Sequence, residues 1–211
     1  MTDSALATNH IRTVLGDITP NALGSTNYHE HLFQVSPLLV GDELNDEEKS
    51  SHEASLLRAS GFDALVDATP LGLGQNPEAL ARISSGRNLT VIATTGRHRE
   101  EHYDSDHWVR KFTTTALADA FLRDLTHAMP VDEGSDRLES ALSPAGNPVR
   151  AGLLKAGIDY WKISSFERDT LDALARAHHD TGAPIMIHIE FGTATHEVLD
   201  LLEAQFVPPS S

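Results

Sequence analysis

The sequence predicts an α/β protein built on a parallel sheet, and three observations carry that expectation. Short apolar, β-branched runs alternate with longer segments of helical periodicity, the pattern of strand-crossover-strand units. Gly, Pro, Asn or Asp bounds each run, so each stops where a turn is chemically favoured. The chain has 211 residues, 40% of them apolar, enough to bury a substantial core as one globular domain, 1–211. Five βα steps fit either an open doubly wound sheet or the first part of a (β/α)8 barrel.

The first strand falls near Ser25 to Phe33, and its helix runs from about Asp46 to Ala59, ending at Gly61. The second spans Ala64 to Ala68; the following helix opens at Asn76-Pro77, where Asn caps and Pro fits the first helical position. The third covers Thr90 to Thr94. The helix after Thr114 carries Leu117, Phe121, Leu122 and Leu125 three and four apart, which makes one face apolar. Asp132 to Pro148, rich in Gly, Ser and Asp, reads as a long loop with room for one helical turn. The fourth strand spans Arg150 to Lys155, followed by a helix from Phe166 to Asp180 that stops at Gly182. The fifth spans Pro184 to Ile189, and a last helix covers Ala194 to Ala204. Val207-Pro208-Pro209-Ser210-Ser211 reads as a turn into a further strand, so a barrel, which typically takes about 250 residues, is expected to be incomplete in this chain.

Composition narrows the function classes. With 31 acidic against 16 basic side chains the formal charge is -15, which repels nucleic-acid phosphates and anionic lipid, so neither is an expected partner. There is no cysteine; a disulfide framework and a thiolate zinc site are excluded, and any metal must be held by His, carboxylate or modified Lys. The start, MTDSALATNHIRTV, lacks a basic segment followed by an apolar one, and no run approaches the roughly 20 apolar residues that span a bilayer. The expected location is the cytoplasm.

Three segments carry candidate chemistry. In Thr26-Asn27-Tyr28-His29-Glu30-His31-Leu32 strand alternation puts both imidazoles on one face and Glu30 on the other. Two nitrogen ligands for one cation, or two solvated histidines on a polar face, both fit that spacing. In Arg150-Ala151-Gly152-Leu153-Leu154-Lys155 a Lys ends an apolar strand, where an ammonium is costly to bury unless paired or neutralised. A neutral amine there can add carbon dioxide and become an anionic carbamate; a Lys that snorkels out is the plain alternative. Lys162 competes for the role but lies beyond the apolar run. In Gly182-Ala183-Pro184-Ile185-Met186-Ile187-His188 a His again closes an apolar strand, as a ligand or as a satisfied core residue. Position joins the three, because His29, His31, Lys155 and His188 all fall at carboxyl ends of predicted strands, where barrel enzymes gather their reactive groups.

The order of His29-Glu30-His31, then Gly152-Leu153-Leu154-Lys155, then Thr181-Gly182-Ala183-Pro184-Ile185-Met186-Ile187-His188 resembles the phosphotriesterase family of the amidohydrolase superfamily. Gly16-Asp17-Ile18, Leu65-Val66-Asp67-Ala68-Thr69-Pro70 and Ala93-Thr94-Thr95-Gly96 support the likeness, which covers nearly the whole chain. The resemblance implies a (β/α)8 TIM barrel and two divalent cations, zinc first, with manganese or cobalt as substitutes. It implies that His29 and His31 bind the more buried metal, that carboxylated Lys155 bridges both as the catalytic Lys, and that His188 binds the more exposed one. The implied chemistry is attack of a metal-bridging hydroxide on a small phosphotriester, lactone or carboxylic ester. The family adds a His after its sixth strand and an Asp after its eighth, positions beyond Ser211, and its members are often homodimers. Lactone-cleaving relatives place Tyr shortly after the Thr-Gly of the third strand, where this chain has Arg97-His98. In the loop from Arg97 to Trp108, His98, His102 and His107 either line the pocket or are merely solvated, and Trp108, Tyr103 and Trp161 either contact a leaving group or pack; His98 and Trp108 are the candidate substrate-binding residues. The alternative is a truncated or degenerate barrel that binds a ligand or partner without chemistry. A nucleotide-binding domain is disfavoured, since no Gly-rich phosphate loop follows the first strand.

Overall fold

The structure is a computed structural model, and it describes residues 10–134 and 139–209. A short antiparallel hairpin, β1 (Ile11–Thr13) and β2 (Gly16–Ile18), precedes a five-stranded parallel sheet in the order β3 (Thr26–Glu30), β4 (Ala64–Asp67), β5 (Thr90–Arg97), β6 (Leu153–Ile158), β7 (Ile185–Ile189). Helices α1 (Glu47–Ala59), α2 (Pro77–Arg87), α3 (Thr114–Thr126), α4 (Ser165–Thr181) and α5 (Thr195–Ala204) follow the successive sheet strands. Spatial order equals sequence order throughout, as in a barrel wound in one direction and unlike a doubly wound sheet.

The helix ends form for local reasons. Asp46 accepts from the amides of Glu48 and Lys49, Asn76 caps Ala79 ahead of Pro77, and Ser164 with Glu167 makes a reciprocal capping box. Gly182 closes α4 in the left-handed conformation at φ 70°. Leu117, Phe121 and Leu125 of α3 join Leu171 and Leu174 of α4 in one core. Each such side chain contributes about 1.5–3 kcal/mol on burial.

Two strands run longer than their sequence pattern predicts. β5 continues past Thr94 to Arg97, and β6 starts at Leu153 and continues past Lys155 to Ile158, so Lys155 lies inside the strand rather than at its end. The glycines read as stops are close-approach points instead. A Cβ on Gly96, which has φ +144°, would come 1.8 Å from the Lys155 carbonyl oxygen, and one on Gly157 would come 2.6 Å from His98 Nδ1. The stretch from Asp132 to Pro148 is a loop, as expected. Residues 135–138 lie outside the described residues; the described remainder carries antiparallel bridges Pro130 to Ser140 and Leu142 to Pro148 and a tight turn in which Gly146 N donates to the Ser143 carbonyl. Hairpin β1–β2 was not expected; Val14 N donates to Val91 O beneath the sheet, and Arg12 reaches the Leu125 carbonyl. Among the described residues no helix is long and apolar enough to cross a membrane.

Candidate metal centre

The sheet curls so far that its two edge strands meet at their carboxyl ends. His29 on β3 and His188 on β7 have ring centroids 5.9 Å apart, although three strands separate them in the sheet. His31, just past β3, lies 5.4 Å from His29, and Lys155 Nζ on β6 lies 3.2 Å from His29 Nε2. All four residues singled out as metal ligands are thus brought together. Lys162 is exposed, as is His196, and neither joins them.

The hydrogen bonds around the imidazoles set which nitrogen each one offers. The Thr69 hydroxyl gives its proton to the Phe33 carbonyl at 2.7 Å, so it accepts from His31 Nδ1–H, also at 2.7 Å, and Nε2 of His31 keeps its lone pair. Glu190 Oε2 lies 3.3 Å from His188 Nε2; a carboxylate only accepts, so Nε2 carries the proton and Nδ1 of His188 is the free donor atom. Lys155 can donate only to an unprotonated His29 Nε2, which places a third lone pair in the same space. Glu30 turns away from the imidazoles, accepting from the His31 amide and from Asn27.

Electrostatics favour neutral nitrogens here. Burial, reinforced by the charge of Lys155, lowers His29 to about 4 and His31 to about 3, and burial also lowers His188. Lys155 is fully buried, and desolvation brings its ammonium down to about 8 while Asp67 opposes the fall. Asp67 closes β4 beneath the cluster, accepts from the amides of Leu32 at 2.8 Å and Thr69 at 3.2 Å, and is raised by burial to about 6. These donors fit divalent cations of the kind the family resemblance implies: neutral imidazoles, two of them, His31 and His188, with their second nitrogen engaged, beside an amine that is easily deprotonated. As the side chains stand, no group of three or more His, Asp or Glu among the described residues closes on a single metal position.

A second layer rims the cluster. His98 is buried, 5.2 Å from His188 and 3.9 Å from His102 between ring centroids, and His102 Nδ1 pairs with Ser36 Oγ at 2.9 Å. Arg99 bridges to Glu190 at 2.9 Å and Asp159 at 3.6 Å. Trp108 stands apart; it packs on His107 and Phe112 in the short helix after the loop, and His107 caps that helix through Val109 N. Arg97 is buried against the Phe166 ring, 3.5 Å from its centroid, and bonds Thr170, so it ties β5 to α4 instead of facing the cluster. A pocket of about 340 Å³ lined by Glu100, Tyr103, Arg110, Asp159 and Glu167 opens beside the histidines rather than over them. Asp67 and Thr69, although in a segment that supports the family likeness, had no site role in the sequence pattern, and neither had Glu190 or Arg99. Asp67 had a signal, since it closes an apolar strand as a charged residue, the same oddity that singled out Lys155.

The model of the phosphotriesterase family matches residues 9–210. The chain is 29% identical over 198 residues to the phosphotriesterase homology protein of Mycobacterium tuberculosis, covering 86% of this chain and 55% of that protein. It is 26% identical over 200 residues to a phospho-furanose lactonase of Mycoplasmopsis agalactiae, covering 89% and 54%. Its fold superimposes on the crystal structure of a lactonase from Listeria monocytogenes with TM-score 0.78 at 28% identity, covering 94% of this chain and 62% of that one. The chain spans just over half the length of these curated relatives, and its five βα units are an incomplete (β/α)8 barrel.

Proposed function

The chain belongs to the phosphotriesterase family, and on that premise we propose that it is a metal-dependent hydrolase of small esters: phosphotriesters, lactones or carboxylic esters. His29, His31, Lys155 and His188 would hold two divalent cations, zinc first. The observation that carries this reading is the 3.2 Å approach of Lys155 Nζ to His29 Nε2, between strands that are not neighbours in the sheet. An amine and an imidazole do not stabilise each other as buried cations, so their proximity has a reason if both serve as ligands.

When bound, a pair of divalent cations supplies the Lewis acidity that makes water nucleophilic near neutral pH. The chain's own residues prepare for this. With its ammonium lowered to about 8, Lys155 holds a neutral fraction near neutral pH; its nitrogen can form a bond to carbon dioxide and release a proton to water, giving the anionic carbamate ligand. Thr69 and Glu190 fix the rings of His31 and His188 from behind. His98, inside the cluster's rim, and Trp108, further out on the same β5–α3 connection, would meet the substrate. The acidic composition suits a small neutral ester better than a polyanion.

The test is hydrolysis of 4-nitrophenyl acetate, paraoxon and a simple lactone by the chain as purified, after chelator treatment and after zinc is returned. Turnover of at least one ester that the chelator abolishes and zinc restores supports the reading. No turnover in any state, or turnover indifferent to the chelator, contradicts it.

A further inference from the structure

The long connection between α3 and β6 sends one carboxylate back across the molecule. Glu133 Oε1 accepts from the amide of Gly72 at 3.0 Å and Oε2 from the amide of Gly74 at 2.6 Å, residues 61 and 59 positions earlier in the chain. Both glycines have positive φ, 76° and 84°, and neither leaves room for a side chain: a Cβ on Gly72 would lie 2.6 Å from His107 Cε1, and one on Gly74 2.9 Å from Val35 N. Two backbone donors thus share one anion, and that anion belongs to the protein. The arm that carries it is held independently. Val131 N donates to Glu139 O and Ala141 N to Met129 O, while Leu142 N donates to Glu78 Oε1 in the first turn of α2.

The segment that Glu133 clasps stands directly behind the cation site. Thr69, whose hydroxyl meets His31 Nδ1, opens it, and the buried Gln75 closes it by donating to the carbonyls of Thr69 and Thr94. Between these ends Leu71 N donates to Gly96 O, the Leu71 carbonyl accepts from Tyr103 Oη, and the Leu73 carbonyl accepts from Val35 N at 2.7 Å. Residues 69–75 therefore join the end of β5 to the chain just past His31. Glu133 is fastened to the middle of that junction.

We propose, on the hydrolase reading of the site, that Glu133 is a positioning residue for the metal centre: its carboxylate, seated on the Gly72 and Gly74 amides, holds residues 69–75 in the shape that keeps Thr69 against His31. Bonds from backbone amides to a carboxylate are charge-assisted and strong, and losing them leaves two N–H donors to find water. Charge matters here as well as shape. Glu133→Gln keeps the outline of the side chain but turns an NH2 group toward one of the two N–H donors, so only one bond survives.

Zinc affinity, read by competition with a chromophoric chelator at a temperature where circular dichroism shows each chain folded, tests the role. Glu133→Ala and Glu133→Gln should each bind zinc about tenfold more weakly than the unaltered chain. Formate at constant ionic strength separates them, because it can enter the cradle that alanine empties but not the one that glutamine fills. It should bring Glu133→Ala to within about threefold of the unaltered chain and leave the other two where they stand, a rescue that a general loss of stability does not produce. In the metal-free chain, nitrogen-15 spectra should show the His31 proton on Nδ1, its signal broadened in Glu133→Ala and sharp again with formate. Unchanged zinc affinity or an unchanged His31 signal in Glu133→Ala, or a loss that formate does not reverse, overturns the role of Glu133, while chelator-sensitive ester turnover by the unaltered chain leaves the hydrolase reading standing. Zinc uptake with the predicted rescue but no ester turnover keeps the role and removes the hydrolysis. An unaltered chain that takes up no zinc overturns both.

Discussion

The inner strands and the edge strands of the sheet are made from the same βα unit but sit in opposite surroundings. β4 is buried at every position and β6 at all but its first, whereas every residue of β7 is only half-buried and β3, with Tyr28 exposed, is covered still less. Beside β7 a groove of about 450 Å³ is lined by Ile185, Ile187, Leu199, Leu202 and Val207. The candidate site draws on both regions. Lys155 and Asp67 come from the inner strands, where desolvation shifts both groups; His29, His31 and His188 come from the edge strands, where ligands can reach them. With the exception of Lys155, whose side chain reaches the histidines, the inner positions should therefore govern stability and the edge positions binding.

The largest effect is expected at Gly96→Ala. Its Cβ would overlap the Lys155 carbonyl at a backbone angle that disfavours any side chain, so a loss of about 4 kcal/mol or more follows. A chemical denaturation curve checks it, and a midpoint equal to that of the unaltered chain would show that β5 and β6 are not packed so closely. Next, Leu154→Ala in β6 should cost about 2–5 kcal/mol, and Ile187→Ala at the edge clearly less, because Leu154 is fully buried and Ile187 is not. Equal losses at the two positions would erase the distinction between the regions.

The pH dependence of the metal-free chain comes third. His29, His31 and His102 have folded pKa values of about 4, 3 and 4, below the unbound 6.5, so below about pH 6.5 the unfolded chain takes protons that the folded one refuses. Stability falls as pH drops from 6.5 toward 4; Asp67, raised to about 6, and Glu167, raised by burial, oppose this, but His98, His107 and His188 are lowered by burial too, so the imidazoles outnumber the carboxyls. At the alkaline end Lys155, lowered from 10.5 to about 8, adds stability as pH rises through that window. Thermal melting from pH 4.5 to 10 reads both limbs. Lys155→Met should remove the alkaline limb and soften the acid one, since the Lys155 charge helps to lower His29 and His31, and an unchanged alkaline rise in that variant would assign it elsewhere.

The smallest effect on stability is expected at Glu190→Gln. With Glu190 on a half-exposed segment, the melting point should hardly move, while a less firmly oriented His188 weakens zinc binding about tenfold. Competition with a chromophoric chelator measures this, and unaltered zinc affinity would remove Glu190 from its orienting role.

Much of this division was legible in the sequence because the determinants are local. Asn76-Pro77 and Gly182 mark helix ends through their own backbone preferences, and the alternation around Glu30 places His29 and His31 together. What escaped is set by neighbours distant in sequence. Gly96 and Gly157 look like strand stops until the Lys155 backbone and the His98 ring are seen against them. Thr69 and Glu190 become meaningful only once His31 and His188 are beside them, and the hairpin strands of three residues are too short to show a period.

The central claim is that strands from the two edges and the interior converge on a shared pair of cations. Metal analysis of the purified chain beside its Lys155→Ala variant, with circular dichroism confirming that both are folded, tests it most directly. The account predicts divalent metal approaching two equivalents in the unaltered chain and none in the variant, with bicarbonate failing to restore it. A folded variant that keeps the full metal complement, or an unaltered chain that takes up no metal when zinc is supplied, would contradict it.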